Sequence, residues 1–205
     1  MTTHSHDHPN PYHESERDEA TNKAMTERVD KMEALLLEKG LVSKEGIEKL
    51  ADIYENDLGP MNGAKVVARA WVDADFKQRL LADATAAIAE LGFGGLEGEH
   101  MVAKENTADI HNVVVCTLCS CYPWPVLGLP PSWYKSFAYR SKIVIEPREV
   151  LAEFGTTLSD DVEVRVWDSS AEIRYLVIPE QPEGTENLSE GELAEIIERD
   201  SMIGV

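Results

Sequence analysis

The chain has 205 residues, and its 19 Lys and Arg stand against 38 Asp and Glu, a net charge of -19 at pH 7. That surplus repels polyanions, which argues against nucleic acid and anionic membrane surfaces as partners and leaves a basic protein surface open. No run of about 18 apolar residues spans a bilayer, and the opening MTTHSHDHPNPYHESERDEATNK lacks the apolar core of a signal peptide, so a cytoplasmic protein is expected.

Residues 1–22 are polar, rich in His and Pro and without apolar periodicity, and read as a disordered tail whose His4, His6, His8 and His13 are solvated. Residues 23–92 read as a helical extension. Met25, Val29, Met32, Leu35 and Leu36 recur at helical spacing before a stop at Gly40. Ser43 is placed to cap a second helix carrying Ile47, Leu50, Ile53 and Tyr54, and Gly59-Pro60 ends the pattern. Ala64 to Trp71 forms a third apolar helical patch. Asp73 then caps a longer helix with Phe76, Leu80, Leu81, Ile88 and Leu91 inward and Gly92 after it. Stripes of this extent exceed what a small bundle hides, so the arm is expected to pack on another chain.

In residues 93–205 the period changes. Val113-Val114-Val115 is a β-branched run, and Glu163–Trp167 and Glu172–Ile178 alternate at period two around Asp168-Ser169-Ser170, which reads as a hairpin. Pro147 and Gly155 bracket a short helix. Ser189 with Glu192 forms a capping box, flanked by Leu188 and Leu193 as a hydrophobic staple. Strands with flanking helices make an α+β protein.

All three cysteines fall in Val-Cys116-Thr117-Leu118-Cys119-Ser120-Cys121-Tyr122-Pro123-Trp124-Pro125. A disulfide framework links segments far apart, so thiols this close belong to one site. In Cys119-Ser120-Cys121 two thiolates flank two backbone amides. Deprotonated, the segment wraps a metal in a plane, Cys116 approaches from below, and a sixth position stays open. Amidate with thiolate favours a strongly Lewis-acidic ion such as iron(III) or cobalt(III). Three alternatives stand beside this: structural zinc on the thiols plus His111, a redox pair Cys116-x-x-Cys119, and free cysteines buried as small hydrophobes. Pro123 and Pro125 are expected to make the exit from the site stiff and non-helical, and Trp124 between them is an apolar wall for a substrate or a core aromatic. Gly128 and Pro130-Pro131 continue the irregular run.

The stretch VVVCTLCSCYPWPVLGLPPSWY (113–134) resembles the metal-binding segment of nitrile hydratase alpha subunits. The likeness extends through YENDLGPMNGAKVVARAWVD, EVRVWDSSAEIRYLVIP and RDSMIGV. It implies a four-layer α-β-β-α catalytic domain after the helical arm, with metal ligation by Cys116, Cys119, Ser120 and Cys121. Cys119 would be a sulfinate, Cys121 a sulfenate, and Cys121, Cys119 and Ser120 the catalytic groups. Thr117 and Tyr122 resemble the cobalt type, so Co(III) is expected, with iron(III) as the alternative ion. Glu97 in GGLEGEH falls at the substrate pocket, where many family members carry glutamine. Arg165, Arg174 and the Asp168-Ser169-Ser170 turn match family positions, and the arginines are read at least as well as strand residues paired across the sheet. The implied partners are a beta subunit, in a heterodimer or heterotetramer, an activator protein for metal loading, and a small nitrile substrate. No Arg or Lys lies between Asp109 and Tyr134 to neutralise oxidised sulfur, so the cations should come from the beta chain. The related thiocyanate hydrolase catalytic chain is the nearest alternative, and a non-catalytic redox or zinc module the more distant one.

Overall fold

The computed structural model describes residues 16–52, 59–93, 100–119 and 121–205. Helix α1 spans Glu16–Glu38 and so begins inside the segment expected to be a disordered tail. The charged residues from Glu16 to Lys23 present no apolar stripe, but Glu, Arg and Ala are good helix formers, and extending a nucleated helix needs no buried face. Gly40, at φ +64°, closes it, with Leu41 N–H returning to the Leu36 carbonyl at 3.0 Å. Helix α2 (Lys44–Asp52) starts as expected at Ser43, whose hydroxyl accepts from Gly46 N at 3.1 Å. Ile53 and Tyr54 lie outside the described residues. From Lys23 to Asp52 no side chain is buried.

Helix α3 (Pro60–Val72) is the first to enter the core, through Ala64, Val66, Val67, Ala68 and Ala70. The single long helix expected after Asp73 is two, α4 (Ala74–Ala82) and α5 (Ala84–Glu90). Asp83 takes extended backbone angles and its carboxylate accepts from Ala86 N at 3.0 Å, restarting the helix as Asp73 starts the one before. The break turns Leu81 outward, while Phe76, Leu80 and Ile88 are buried. Helices α3 to α5, read from the sequence as part of the extension, share one hydrophobic core with the strands.

The strands are β1 (His100–Glu105), β2 (Ile110–Val115), β3 (Glu163–Asp168) and β4 (Ile173–Ile178). The expected hairpin is absent: β3 and β4 belong to different sheets. Strand β1 pairs in parallel with β4, and β2 in parallel with β3. Alternation identifies which face of a strand is buried and leaves its neighbour open. Here Ser169-Ser170-Ala171-Glu172 carries the chain from one sheet to the other, and Ser169 N extends the second ladder by donating to Val115 O at 2.7 Å. Helices α4 and α5 lie on β1, β2 packs against β4, and α9 (Pro147–Glu153) lies on β3. The order helices, sheet, sheet, helices makes the four-layer α+β arrangement.

Asn112, 2 % exposed, stitches the layers together. Its amide donates to Glu105 O at 2.8 Å, its carbonyl oxygen accepts from Trp167 Nε1 at 2.8 Å, and its backbone N–H donates to Asn106 Oδ1 at 2.7 Å. The exit expected to be non-helical is instead a run of short helices, α6 (Trp124–Leu127), α7 (Ser132–Lys135), α8 (Phe137–Lys142) and α9, because Pro125 falls in the first turn of α6, where its missing N–H costs no helical hydrogen bond. Helix α10 (Glu190–Ile196) carries the expected capping box. Beyond it a 3₁₀ turn (Asp200–Met202) docks the C-terminus on β2, where Val114 N donates to Ile203 O at 2.8 Å.

Candidate metal centre

Strand β2 runs directly into the cysteines, so its rigid, fully buried end Val113-Val114-Val115 sets where they begin. Cys116 is buried, Cys121 half-buried and Cys119 exposed, and all three thiols are free of disulfides. Their sulfurs lie within 4.8 Å of one another, with Cys116 to Cys119 at 3.6 Å and Cys119 to Cys121 at 3.2 Å. Among the described residues this is the only group of three or more His, Cys, Asp or Glu side chains with ligand atoms so close. Cys119 N–H points at Cys116 Sγ, 3.3 Å away, which bends the segment back on itself. Ser120, the fourth expected ligand, and Glu97 lie outside the described residues.

The alternatives fare differently. His111 does not join the sulfurs: its Nε2 is 2.9 Å from Gly204 O and its Nδ1 is 3.4 Å from Asn106 Nδ2, so a tetrahedral zinc site lacks its fourth ligand. Cys116 and Cys119 occupy a bend after a strand, not the first turn of a helix where a reactive Cys-x-x-Cys thiolate gains its stabilisation. An exposed Cys119 is not a core hydrophobe.

Burial pushes the Cys121 thiol up to about 12, and the adjacent Cys119 and Cys116 sulfurs push in the same direction, against the opposing pull of the Arg174 guanidinium. A thiol held protonated in this way becomes a good ligand when a multivalent cation displaces its proton. The donor set therefore fits the metal expected from the motif: sulfur-rich, crowded, and free of carboxylate or imidazole among the described residues.

Side chains distant in sequence hold this loop. Asp168, the last residue of β3, accepts from Thr117 N at 2.9 Å through one oxygen and from Thr117 Oγ1 at 2.6 Å through the other. Arg140 Nη1 on α8 donates to Thr117 O at 3.3 Å. At the other end Tyr134 OH donates to Cys121 O at 2.9 Å, and Tyr139 OH donates to Val114 O at 2.8 Å on the entering strand. Tyr122 and Tyr134 pack edge to face at 5.1 Å, and burial raises both phenols above their ordinary range, so both stay protonated. None of these four supports was read from the sequence, where Asp168 was a turn residue; proximity in sequence was the only available signal, and it reaches Tyr134 alone. Of the two strand arginines, Arg165 pairs with Glu163 at the surface and takes no part in the centre. Arg174 is 8 % exposed, donates to Ser170 O, and has the electrostatic reach to Cys121 noted above. Trp124 opens α6 at 38 % exposure, and Leu118 and Leu129, before and after it in the chain, are also exposed apolar side chains.

Comparison with known proteins agrees with this geometry. The sequence model of the family described as nitrile hydratase, alpha chain, matches residues 23–205. The low-molecular weight cobalt-containing nitrile hydratase subunit alpha of Rhodococcus rhodochrous is 60% identical over 185 residues, 90% of this chain and 89% of that one. Thiocyanate hydrolase subunit gamma of Thiobacillus thioparus is 41% identical over 182 residues, 83% of this chain and 74% of that one. A solved double mutant of the Fe-type nitrile hydratase from Comamonas testosteroni Ni1 superposes with a TM-score of 0.85 at 43% identity, covering 89% of each chain. On the match of its sequence, its fold and its clustered sulfurs, the chain belongs to the nitrile hydratase alpha-chain family.

Proposed function

We propose that this chain is the catalytic alpha chain of a nitrile hydratase, adding water across a carbon–nitrogen triple bond to give an amide. The observation that carries the reading is the convergence of the Cys116, Cys119 and Cys121 sulfurs within 4.8 Å on a loop braced at both ends. The ligands are these sulfurs with the backbone nitrogens of Ser120 and Cys121, and the ion is cobalt, supported by the 60% identity to a cobalt-containing relative, with iron as the alternative. Bound there as a trivalent ion, the metal supplies Lewis acidity that polarises a nitrile or acidifies a water.

The remaining work belongs to the protein. Buried Cys116 anchors the site from below. Cys119 as sulfinate and Cys121 as sulfenate would carry oxygen atoms beside the bound substrate, where the Cys121 oxygen would take a proton from the water that adds to the nitrile carbon and pass it to the nitrile nitrogen, or would itself add to that carbon as the C≡N π bond breaks toward nitrogen, a water then releasing the amide and restoring the sulfenate. Asp168 and Tyr134 fix the loop so that these oxygens need not reorganise during reaction. Trp124, with Leu118 and Leu129, forms an apolar mouth suited to a small neutral substrate. With every cysteine committed to metal, no thiol remains to carry the amide on to acid.

The Cys119 sulfinate and the Cys121 sulfenate need more cations than Arg174 supplies, and a beta chain, in a heterodimer or heterotetramer, provides them and covers the exposed apolar side chains. An activator protein loads the metal, and the assembly works in the cytoplasm. The test supplies the metal-loaded assembly with acrylonitrile, benzonitrile and thiocyanate separately while amide, carboxylate, ammonia and carbonyl sulfide are followed. Amide alone is expected. Rapid carbonyl sulfide with negligible amide would move the chain to thiocyanate hydrolysis, the reading favoured by the 41% identical relative, and absence of turnover would leave a binding module.

A further inference from the structure

Among the described aromatic side chains from Tyr122 to Tyr134, Trp124 alone is exposed: Tyr122, Trp133 and Tyr134 are 3 % accessible or less. It sits on α6, a single turn whose N-cap Pro123 and second residue Pro125 have no backbone N–H to donate. Val126 and Leu127 N–H both return to Pro123 O, at 3.2 and 2.9 Å, and Gly128 N–H returns to Trp124 O at 2.9 Å. A turn this short is marginal alone and takes its position from what it packs on.

What it packs on is the start of α3, more than sixty positions earlier in the chain. Asn62, buried at 9 % exposure, donates its amide Nδ2 to the carbonyl of Pro125 at 3.2 Å, on the peptide next to Trp124. Gly63 brings the helix in so closely that a Cβ there would stand 2.9 Å from Val126 O and 2.8 Å from both Leu127 Cδ2 and Met202 Sδ. Asn62 thus fixes one face of the turn by direction, and Gly63 fixes its distance. Trp124 stands three positions after Cys121, whose own carbonyl is held by Tyr134.

We propose that Asn62 and Gly63 are positioning residues that hold the Trp124 indole at the mouth of the cysteine cluster and so set the size of nitrile the site accepts. The size role rests on the nitrile hydratase reading; the positioning does not. In the full metal-loaded assembly, Asn62→Ala and the similarly shaped non-donor Asn62→Asp are compared with wild type, and hydroxyl-radical oxidation of each tryptophan is followed by peptide mass spectrometry. Loss of one directed hydrogen bond predicts a rise of about 3- to 10-fold in Trp124 oxidation, with Trp133 unchanged. The benzonitrile KM should rise by a similar factor, with the acrylonitrile KM and both kcat values within about two-fold of wild type. Gly63→Ala should push the same way and further. Unchanged Trp124 oxidation in folded Asn62 variants, a rise shared by all tryptophans, or wild-type behaviour of Asn62→Asp beside an altered Asn62→Ala would overturn the assignment. An assembly that hydrates no nitrile would remove the size role and the functional reading together, and the Trp124 oxidation rate would still decide the positioning.

Discussion

Asp168 stands at the junction of a strand end and a metal loop, and both of its oxygens are spent on one residue, Thr117, between two of the cysteines. A carboxylate that accepts from a backbone N–H and a hydroxyl at once fixes the loop in direction as well as in place. Asp168→Asn, which keeps the size and loses the charge, should lower both metal content and kcat by about 10-fold, in the range seen when a group supporting metal ligands is altered. Elemental analysis per chain alongside kinetics reads this; full metal content with full activity would show that Asp168 is dispensable. Chemistry at the sulfurs is open to a second measurement. Cys119 should carry two added oxygens and Cys121 one, with Cys116 unmodified, because the outer thiolates meet solvent oxidant while Cys116 is buried. Mass spectrometry of the peptide covering residues 113–134, prepared without reductant, decides it, and three unmodified thiols in active protein would refute it. The clustering of the Cys116, Cys119 and Cys121 sulfurs was legible because their spacing is local. Asp168 was not, because its partner lies 51 positions away and becomes a neighbour only when β3 pairs with β2.

The C-terminal segment acts on the centre through β2. Gly204 adopts φ +93°, and a Cβ there would meet Asn112 O at 2.0 Å and Val113 Cα at 2.9 Å, against a backbone that cannot yield. Gly204→Ala therefore combines a strained backbone with an overlap on the strand that carries the cysteines, and should cost roughly 1–3 kcal/mol. In a chain of this size that lowers Tm by several degrees, read by thermal unfolding of the assembly; an unchanged Tm would mean the segment does not dock. At α10 the Ser189 hydroxyl and backbone N–H hold the Glu192 carboxyl below the ordinary glutamate range. A depressed value means the folded state favours the charged form, so this small contribution is complete above the ordinary glutamate pKa and fades as pH falls through the folded value. Glu192→Gln should therefore narrow the Tm difference between neutral and acid pH. The capping box was legible because it spans four residues. The pairing of β3 and β4 was not, because alternation carries no record of which strand lies alongside, and the break at Asp83 was hidden because one apolar stripe runs through two capped helices.

Across the molecule, the uneven distribution of buried surface is the feature that points outward. Buried side chains from Ala64 to Ile203 share one core, whereas along α1 the side chains of Met25, Val29, Met32, Leu35 and Leu36 stand between 38 % and 53 % exposed, and from Lys23 to Glu38 the helix buries no side chain among the described residues. A stripe of that length, left in water, loses about 25 cal/mol for each Å² that a partner would cover. The helical period of this stripe was legible from the sequence, and so was its surplus over what a small bundle hides; what covers it was not, because periodicity marks an apolar face without naming what lies against it. Under the proposed function the cover is the beta chain, and the net charge of -19 further favours a partner with a basic face. The double change Val29→Glu with Met32→Glu tests this without touching the core or the cysteines. Surface changes of this kind are expected to move the stability of the isolated chain by no more than about 0.5 kcal/mol, while recovery of the beta chain in a co-purified assembly should fall at least roughly ten-fold, since two buried apolar contacts become two desolvated charges. Activity per assembled particle should be unchanged, because α1 contributes nothing to the metal loop. Co-purification at wild-type levels would show that the assembly forms through the apolar face around Leu118, Trp124 and Leu129 alone.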